Sequence, residues 1–467
     1  MSSHGSSVTR RAFLHRSLAA LAGASAAGLP ALRAPAQTGD KKRRPNVILI
    51  YSDDQGSIDL GCYGAKDLHT PNLDALAARG VRMTQWYAPS SVCSPSRAGL
   101  MTGRYPHRAQ LPNNAPSIPG KDGMPTEQIT MAEVFRQAGY RTALFGKWHL
   151  GTSERCQPNA QGFDEAFGHL GGCIDNYSHF FYWHGPNRHD LYRDGKEVFE
   201  DGTHIGDLIV REAKRFLDAN KDRPFFLYLP FNMPHYPTQA KVEDRQRFAD
   251  MPEPRRSYAA FLATLDRQIG QVLDEVDRLK LRENTVILFI ADQGHSREER
   301  TNFGGGSAGP YRGCKFSLFE GGIRVPAIVS MPGVIPQGEV RSQWGGSIDV
   351  LPTLVDLCGL DKPAHRIDGL SVAEMLKSAS ADSPHRVMHW QLGNQWAVRE
   401  GDWKLVANAQ DPLGADRPAD LPKPDKIFLS NLAQDVTETK NQAAENGEIV
   451  KRLTRLHEHW AKDVQEQ

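Results

Sequence analysis

The chain has 467 residues, a formal net charge of +1, 39% hydrophobic and 24% charged side chains. That balance belongs to an ordinary globular protein and excludes a disordered chain or an array of membrane spans, while the near-zero charge argues against a nucleic-acid partner, which calls for a basic excess. The length suits one large domain with a smaller one, and six cysteines without a Cys-x-x-Cys pair exclude a zinc knuckle and leave disulfide pairing open.

Residues 1–36 stand apart from the fold. Thr9-Arg10-Arg11-Ala12-Phe13-Leu14, the modest apolar stretch from Leu18 to Leu29 and the small residues Ala34-Pro35-Ala36 resemble a bacterial twin-arginine export signal. The expectation is a periplasmic or extracellular protein with the twin-arginine export machinery as a partner. The apolar run is too short and too rich in Ala and Gly for a stable membrane span. Residues 1–36 carry Arg10, Arg11, Arg16 and Arg33 and no acid, so their removal takes the charge to 1 − 4 = −3. Residues 37–45 read as a linker.

Asn46 to Tyr51 is a continuous apolar, β-rich run, as in a strand buried on both faces, and it empties into Ser52-Asp53-Asp54-Gln55-Gly56. Thr70-Pro71 opens a helix through Ala78 that stops at Gly80. A strand from Val81 to Ala88 delivers the chain to Ser90–Arg104, SSVCSPSRAGLMTGR, where helical character is expected from Ser96 to Thr102 with Cys93 just before it. A helix over Thr130–Ala138 and a strand over Arg141–Phe145 lead to Gly146-Lys147-Trp148-His149-Leu150-Gly151. The stretch 152–202 reads as irregular. A helix at 205–219, a strand at 225–231 ending in Asn-Met-Pro-His235-Tyr-Pro, a helix at 258–279 and a strand at 285–290 ending in Ala-Asp292-Gln293-Gly-His295 follow.

Alternation of apolar strands with amphipathic helices predicts an α/β fold, a mostly parallel sheet flanked by helices, with polar residues gathered past the carboxyl ends of the strands where open sheets bind ligands. From about 385 the pattern changes to antiparallel strands near 396–406 and 426–429 and a last helix near 448–460. We therefore expect a catalytic domain over 46–384 and a smaller C-terminal α+β subdomain over 385–467.

The residue types at those strand ends point to chemistry on an oxyanion. Cys93 before a helix start, with Arg97 one turn on, sits where backbone N–H groups and the helix dipole favour negative charge. Asp53 and Asp54 at the end of a buried strand call for a cation, and Asp292 with the Gln293 carbonyl brings the oxygen donors to four, a hard-ion set suited to calcium or magnesium. Lys147 is a point charge for an oxyanion, and His149, two residues on, would face the same side of an extended segment and can exchange protons. His235 sits in a stiff proline-flanked loop. His169, His179, His184 and His189, with Tyr177, Tyr182 and Trp183, suit a sugar-binding rim, and His295 follows the metal motif.

Cys-x-Pro-x-Arg followed by Ala-Gly-Leu-Met-Thr-Gly-Arg, together with Gly-Lys-Trp-His-Leu-Gly, the Pro-His of residues 234–235 and Arg312-Gly-Cys-Lys315-Phe-Ser-Leu-Phe-Glu-Gly-Gly-Ile-Arg-Val-Pro326, resembles the type I sulfatases of the alkaline-phosphatase-type superfamily. Residues 397–404 and 429–432 resemble that family's C-terminal subdomain. The resemblance implies that a maturation enzyme oxidises Cys93 to formylglycine, whose hydrate is the nucleophile, and that one calcium ion is bound by Asp53, Asp54, Asp292, Gln293 and the residue at 93. It implies further that Arg97, Lys147 and Lys315 clamp the sulfate and that Asp292 is a candidate base. His235 or Lys315 would protonate the leaving alcohol, and His149 would take a proton when sulfate is expelled. The family commonly has Asn where this chain has Gln293. The expected substrate is a sulfated small molecule or glycan, with carbohydrate preferred. The other readings are an aryl or alkyl sulfatase, a phosphate or phosphonate ester hydrolase of the same fold, and an inactive sulfated-glycan binder if Cys93 stays unmodified.

Overall fold

In the computed structural model, residues 43–183, 185–412 and 423–466 are described; the expected export signal and His184 lie outside them. Ten strands form the main sheet: β1 Asn46–Ser52, β2 Val81–Tyr87, β3 Arg141–Lys147, β4 Glu165–His169, β7 Tyr192–Arg193, β8 Lys196–Glu197, β9 Phe225–Pro230, β10 Thr285–Ala291, β11 Arg324–Ser330 and β12 Glu339–Gly346. The short strands β5 Phe180–Phe181 and β6 Arg188–His189 make a separate ribbon. The spatial order is β12-β2-β11-β10-β1-β9-β3-β4-β7-β8. β10, β1, β9, β3 and β4 run parallel, whereas β11 and β7 run against their neighbours.

The unbroken apolar runs have a simple cause. Side chains alternate across a strand, so a strand covered on both faces must be apolar at every position. In β1, Val47, Leu49 and Tyr51 join one core, packed with the helices Met131–Gln137 and Val350–Cys358. Ile48 and Ile50 join the other, against the helices Ile205–Asn220 and Arg255–Arg278. The same division splits β10, with Val286, Leu288 and Ile290 on one face and Ile287 and Phe289 on the other. Thr130 caps its helix with a reciprocal capping box to Glu133, as its position before the apolar run predicts.

A four-stranded antiparallel sheet, β13 Val387–Leu392, β14 Gln395–Glu400, β15 Trp403–Ala407 and β16 Ile427–Asn431, carries the helix Gly447–Asp463 on one side through Val398, Leu405, Leu429 and Leu453. Its other side packs Met388, Trp390, Ala397, Val406 and Phe428 on Tyr87, Leu318, Phe319 and Ile323. Trp390 donates its indole N–H to the Ala88 carbonyl at 2.8 Å. Buried Lys404 reaches Glu320 at 2.9 Å and Glu438 at 3.1 Å. All these contacts lie within one compact unit running from Arg43.

Two local expectations are corrected. The helix begins at Cys93 itself, Cys93–Thr102, with Val92 extended before it, because Pro95 is accommodated in the first turn where it has no N–H to lose. The stretch 152–202 contains β4, which joins the main sheet beside β3. Its Gly168, with φ 146°, approaches the Gly146 backbone so closely that a Cβ would lie 1.9 Å from the Gly146 oxygen.

Candidate active site

Five strands converge on one spot. β1 ends in Asp53 and Asp54, β2 leads to Cys93, β3 ends in Lys147 with His149 beyond, β9 leads to His235, and β10 ends in Asp292 and Gln293. Lys315 comes from the loop before β11. At the centre the Cys93 thiol donates to Asp53 Oδ1 at 3.5 Å and accepts from Gln293 Nε2 at 3.4 Å. The Cys93 helix has no side-chain cap, and Ser94 ties its first turn to the His149 carbonyl at 2.6 Å.

Cations ring the carboxylates. Lys147 Nζ lies 2.5 Å from Asp53 Oδ2, Arg97 lies 3.0 Å from Asp292 and 3.5 Å from Asp53, and Lys315 Nζ lies 2.8 Å from Asp54 Oδ2. Burial opposes the Asp53 charge, yet the Lys147, Arg97 and Lys315 cations outweigh it and hold Asp53 well below the usual carboxylate range. Burial and the neighbouring Asp53 charge push Asp292 well above that range; burial also raises Asp54, although Lys315 opposes it. Asp53 keeps Lys147 raised against burial, and Asp54 keeps Lys315 well above the ordinary lysine value. Burial, then Lys147 and Arg97, pushes His149 well below the ordinary histidine value; burial and Lys315 do the same to His235. Both imidazoles are therefore neutral. Burial pushes the Cys93 thiol up to about 12.

The donor set fits a hard cation. Asp53, Asp54, Cys93 and His235 each offer a ligand atom within 4.8 Å of the others. Gln293 Nε2 donates to Asp54 Oδ1 at 2.5 Å, while its buried Oε1 has no partner. Amide oxygen and nitrogen are interchangeable by a flip, and an oxygen turned toward Asp54 joins the Asp53 and Asp54 carboxylates as a ligand for an ion of the calcium class. Asp292 stands outside that group, its oxygens taking the Asp54 and Gln293 N–H groups and the Arg97 guanidinium.

Above Cys93 opens a cavity of about 290 Å³, lined by His149, His235 and Lys315 and walled by Asn114, Ser117, Gly172, Phe181, Trp183, Tyr236, Glu298 and Arg300. His149 reaches it by a route other than the expected alternation: the chain leaves β3 after Lys147, and His149 takes left-handed backbone, φ 57°, a strained conformation typical of functional positions. Gly172 leaves room for its ring, since a Cβ there would sit 2.7 Å from His149 Cε1. Among the described residues, Trp183 is the one member of the expected aromatic rim on this wall. His169 is buried at the end of β4, Tyr177 and His204 pack edge to face, and His179 and His189 lie elsewhere. His295 is buried off the cavity, and its backbone carbonyl fixes Lys315 by accepting the Lys315 N–H at 2.9 Å.

Glu298, Arg300 and Tyr236 were not anticipated as wall residues. Glu298 Oε2 lies 3.6 Å from Lys315 Nζ, and the Arg300 guanidinium covers the Trp183 ring. Only Tyr236, adjacent to His235, carried a local signal. All six cysteines, whose pairing the sequence left open, are free thiols.

The family model described as Sulfatase matches residues 45–360. This chain belongs to the sulfatase family. It is a hydrolase acting on sulfuric esters, with the alkaline-phosphatase-like fold. The sulfatase is 30% identical to an N-acetylgalactosamine-6-O-sulfatase of Bacteroides thetaiotaomicron, over 90% of this chain and 94% of that protein. It is 33% identical to human arylsulfatase A over 81% and 78% of the two chains. Among solved structures it is similar to Ps i-CgsB, with TM-score 0.80, 31% identity and coverage of 91% and 94%, a protein also solved in complex with k-i-k-neocarrahexaose. Among the described residues no helix is long and apolar enough to cross a membrane.

Proposed function

We propose that this sulfatase releases sulfate from a sulfated carbohydrate, using formylglycine made from Cys93 and one calcium ion, and that it acts after export from a bacterial cytoplasm. The observation that carries the reading is the setting of Cys93, a helix-start side chain on the floor of a cavity between a hard-ion donor set and three buried cations. The thiol there is a poor nucleophile, because burial and the Asp53 carboxylate both oppose a thiolate. Converted to an aldehyde hydrate, the same position supplies an oxygen nucleophile and an internal exit for sulfate that serine lacks. Asp53, Asp54, Asp292 and Gln293 Oε1 would hold calcium, which supplies positive charge for the sulfate oxygens.

The remaining work falls to the chain's own groups. Arg97 donates to the Lys147 carbonyl at 3.1 Å and to Asp292 at 3.0 Å, so its guanidinium is fixed where negative charge develops. Lys147 and Lys315 place two ammonium groups beside Asp53 and Asp54. Of the two candidates for protonating the leaving alcohol, Lys315 is the one that holds a proton. His235 is neutral, with Nδ1 donating to the Tyr236 carbonyl at 2.7 Å, which leaves Nε2 as an acceptor. His149 is also neutral and its Nδ1 has no partner, as suits a group that takes a proton.

The carbohydrate reading is supported by the aromatic and polar cavity wall and by the named glycan sulfatase among the relatives. The test begins with the mass of the peptide spanning residues 80–104, followed by assays of matured protein on defined sulfated saccharides and on an aryl sulfate. Formylglycine at position 93 with turnover of a saccharide is expected. Unmodified Cys93 in an active preparation, or full multiple turnover by Cys93→Ser, overturns the mechanism; turnover of the aryl sulfate alone overturns the substrate class.

A further inference from the structure

A second group of histidines lies between β4 and the helix Ile205–Asn220, off the cavity. His189, on the ribbon strand β6, is 8% exposed. Its Nδ1 lies 3.1 Å from Glu197 Oε1, so the imidazole N–H donates to that carboxylate and the lone pair falls on Nε2. This Nε2 has no hydrogen-bond partner and faces Asp201 Oδ1 at 3.8 Å. A lone pair aimed at a carboxylate across that gap is unfavourable, and either a proton on Nε2 or a metal ion held between the two relieves it. His179 completes the group. It is fully buried, with left-handed backbone at φ 60°; its Nε2 lies 3.1 Å from the Thr203 carbonyl oxygen and its Nδ1 has no partner.

One ligand-type atom from each of His179, His189 and Asp201 lies within 4.8 Å of the other two. Donors around a tetrahedral ion with bonds of about 2.0–2.1 Å stand about 3.3 Å apart, so the His189–Asp201 pair at 3.8 Å is already near that spacing and His179 has to draw in toward it. A carboxylate on the far nitrogen of His189 is the usual support of a metal-binding imidazole. Two imidazoles with one carboxylate, and no cysteine, favour a divalent ion of the zinc class over calcium.

From this geometry we infer that His179, His189 and Asp201 form a second metal site, distinct from the acidic site beside Cys93, that takes Zn2+ and leaves one position open to water. The ion would join the β5–β6 ribbon to the loop before the helix Ile205–Asn220. In that ribbon Phe180 pairs with His189 and Phe181 with Arg188, and Phe181 and Trp183 stand on the cavity wall. The ion therefore acts as a clamp on the wall and takes no part in the chemistry at Cys93.

The test is titration of Zn2+ into chelator-stripped full-length protein held in saturating calcium, read by calorimetry and by thermal melting. The wild type should bind one equivalent and melt higher with Zn2+. His189→Gln and Asp201→Asn should each weaken binding at least tenfold and lose the melting shift, while Cys93→Ser binds like the wild type. Stripped variants should melt with the stripped wild type, which separates lost metal from lost fold; Asp201, half exposed, guards against a folding defect at buried His189. Co2+ in place of Zn2+ should give visible ligand-field absorption that both variants lose. Absence of saturable binding at micromolar Zn2+ overturns the inference, as does binding unchanged in both variants or abolished by Cys93→Ser.

Discussion

At Cys93 the surroundings work against a thiolate and for an anion-binding oxygen, and the neighbouring residues make that preference testable one side chain at a time. Gly172 is required for space: an alanine Cβ would press on the His149 ring at 2.7 Å. Gly172→Ala should lower kcat about a hundredfold through misplacement of one proton acceptor, with melting nearly unchanged, as steady-state kinetics and calorimetry would show. Gln293 carries a buried amide oxygen at the acidic site without a partner. Gln293→Met keeps the bulk and removes that oxygen, so calcium titration should show affinity weakened about tenfold in a folded protein.

At the scale of elements, the strands that supply the site declare themselves because burial on two faces keeps the middle of each apolar, Val47–Ile50 in β1 and Val286–Ala291 in β10, and the acids at their ends then stand out. What stayed illegible has physical causes. β4 is five residues long and held by pairing with β3, with Gly168 chosen for close approach and not for β-propensity. Two-residue strands such as β5 and β6 have no period to detect. Glu298 and Arg300 reach the cavity only because a loop folds over Lys315, a long-range contact that leaves no trace in spacing. The helix at Cys93 starts earlier than its propensity suggests, since proline is tolerated in a first turn.

The junction of the small sheet also carries a pH dependence. His385, just before β13, lies 2.8 Å from both Asp349 oxygens, and the carboxylate also accepts the Gly346 and Leu370 N–H groups at 2.8 Å. Burial lowers the His385 pKa, but Asp349 outweighs it and the folded value lies above 6.5. A raised pKa means the folded state holds the proton more tightly. The stabilisation is complete below the unfolded pKa of about 6.5 and is lost as pH rises through the folded value. The pair should contribute about 2 kcal/mol at pH 6. The melting gap between wild type and His385→Gln should therefore narrow as pH is raised from 6 toward 9.

For the whole molecule, the acidic site gathers residues from three separate parts of the chain, 53–54, 93 and 292–293, so a bound ion stabilises the assembled sheet and nothing less. Calcium at about a hundred times its dissociation constant should add about 2.7 kcal/mol. A chelator should lower the melting midpoint accordingly, and Asp53→Asn should abolish the difference. The burial of Cys93, 2% exposed beside the lysine-bound Asp53 carboxylate, has a consequence in time as well as in space. If the thiol must be oxidised by another enzyme, that enzyme has to arrive while the segment is still loose, and the finished fold shuts the door behind it. Folding and maturation are then competitors in a race, and each molecule that folds first stays silent for life. The specific activity of a preparation would record how that race was run in the cell that made it.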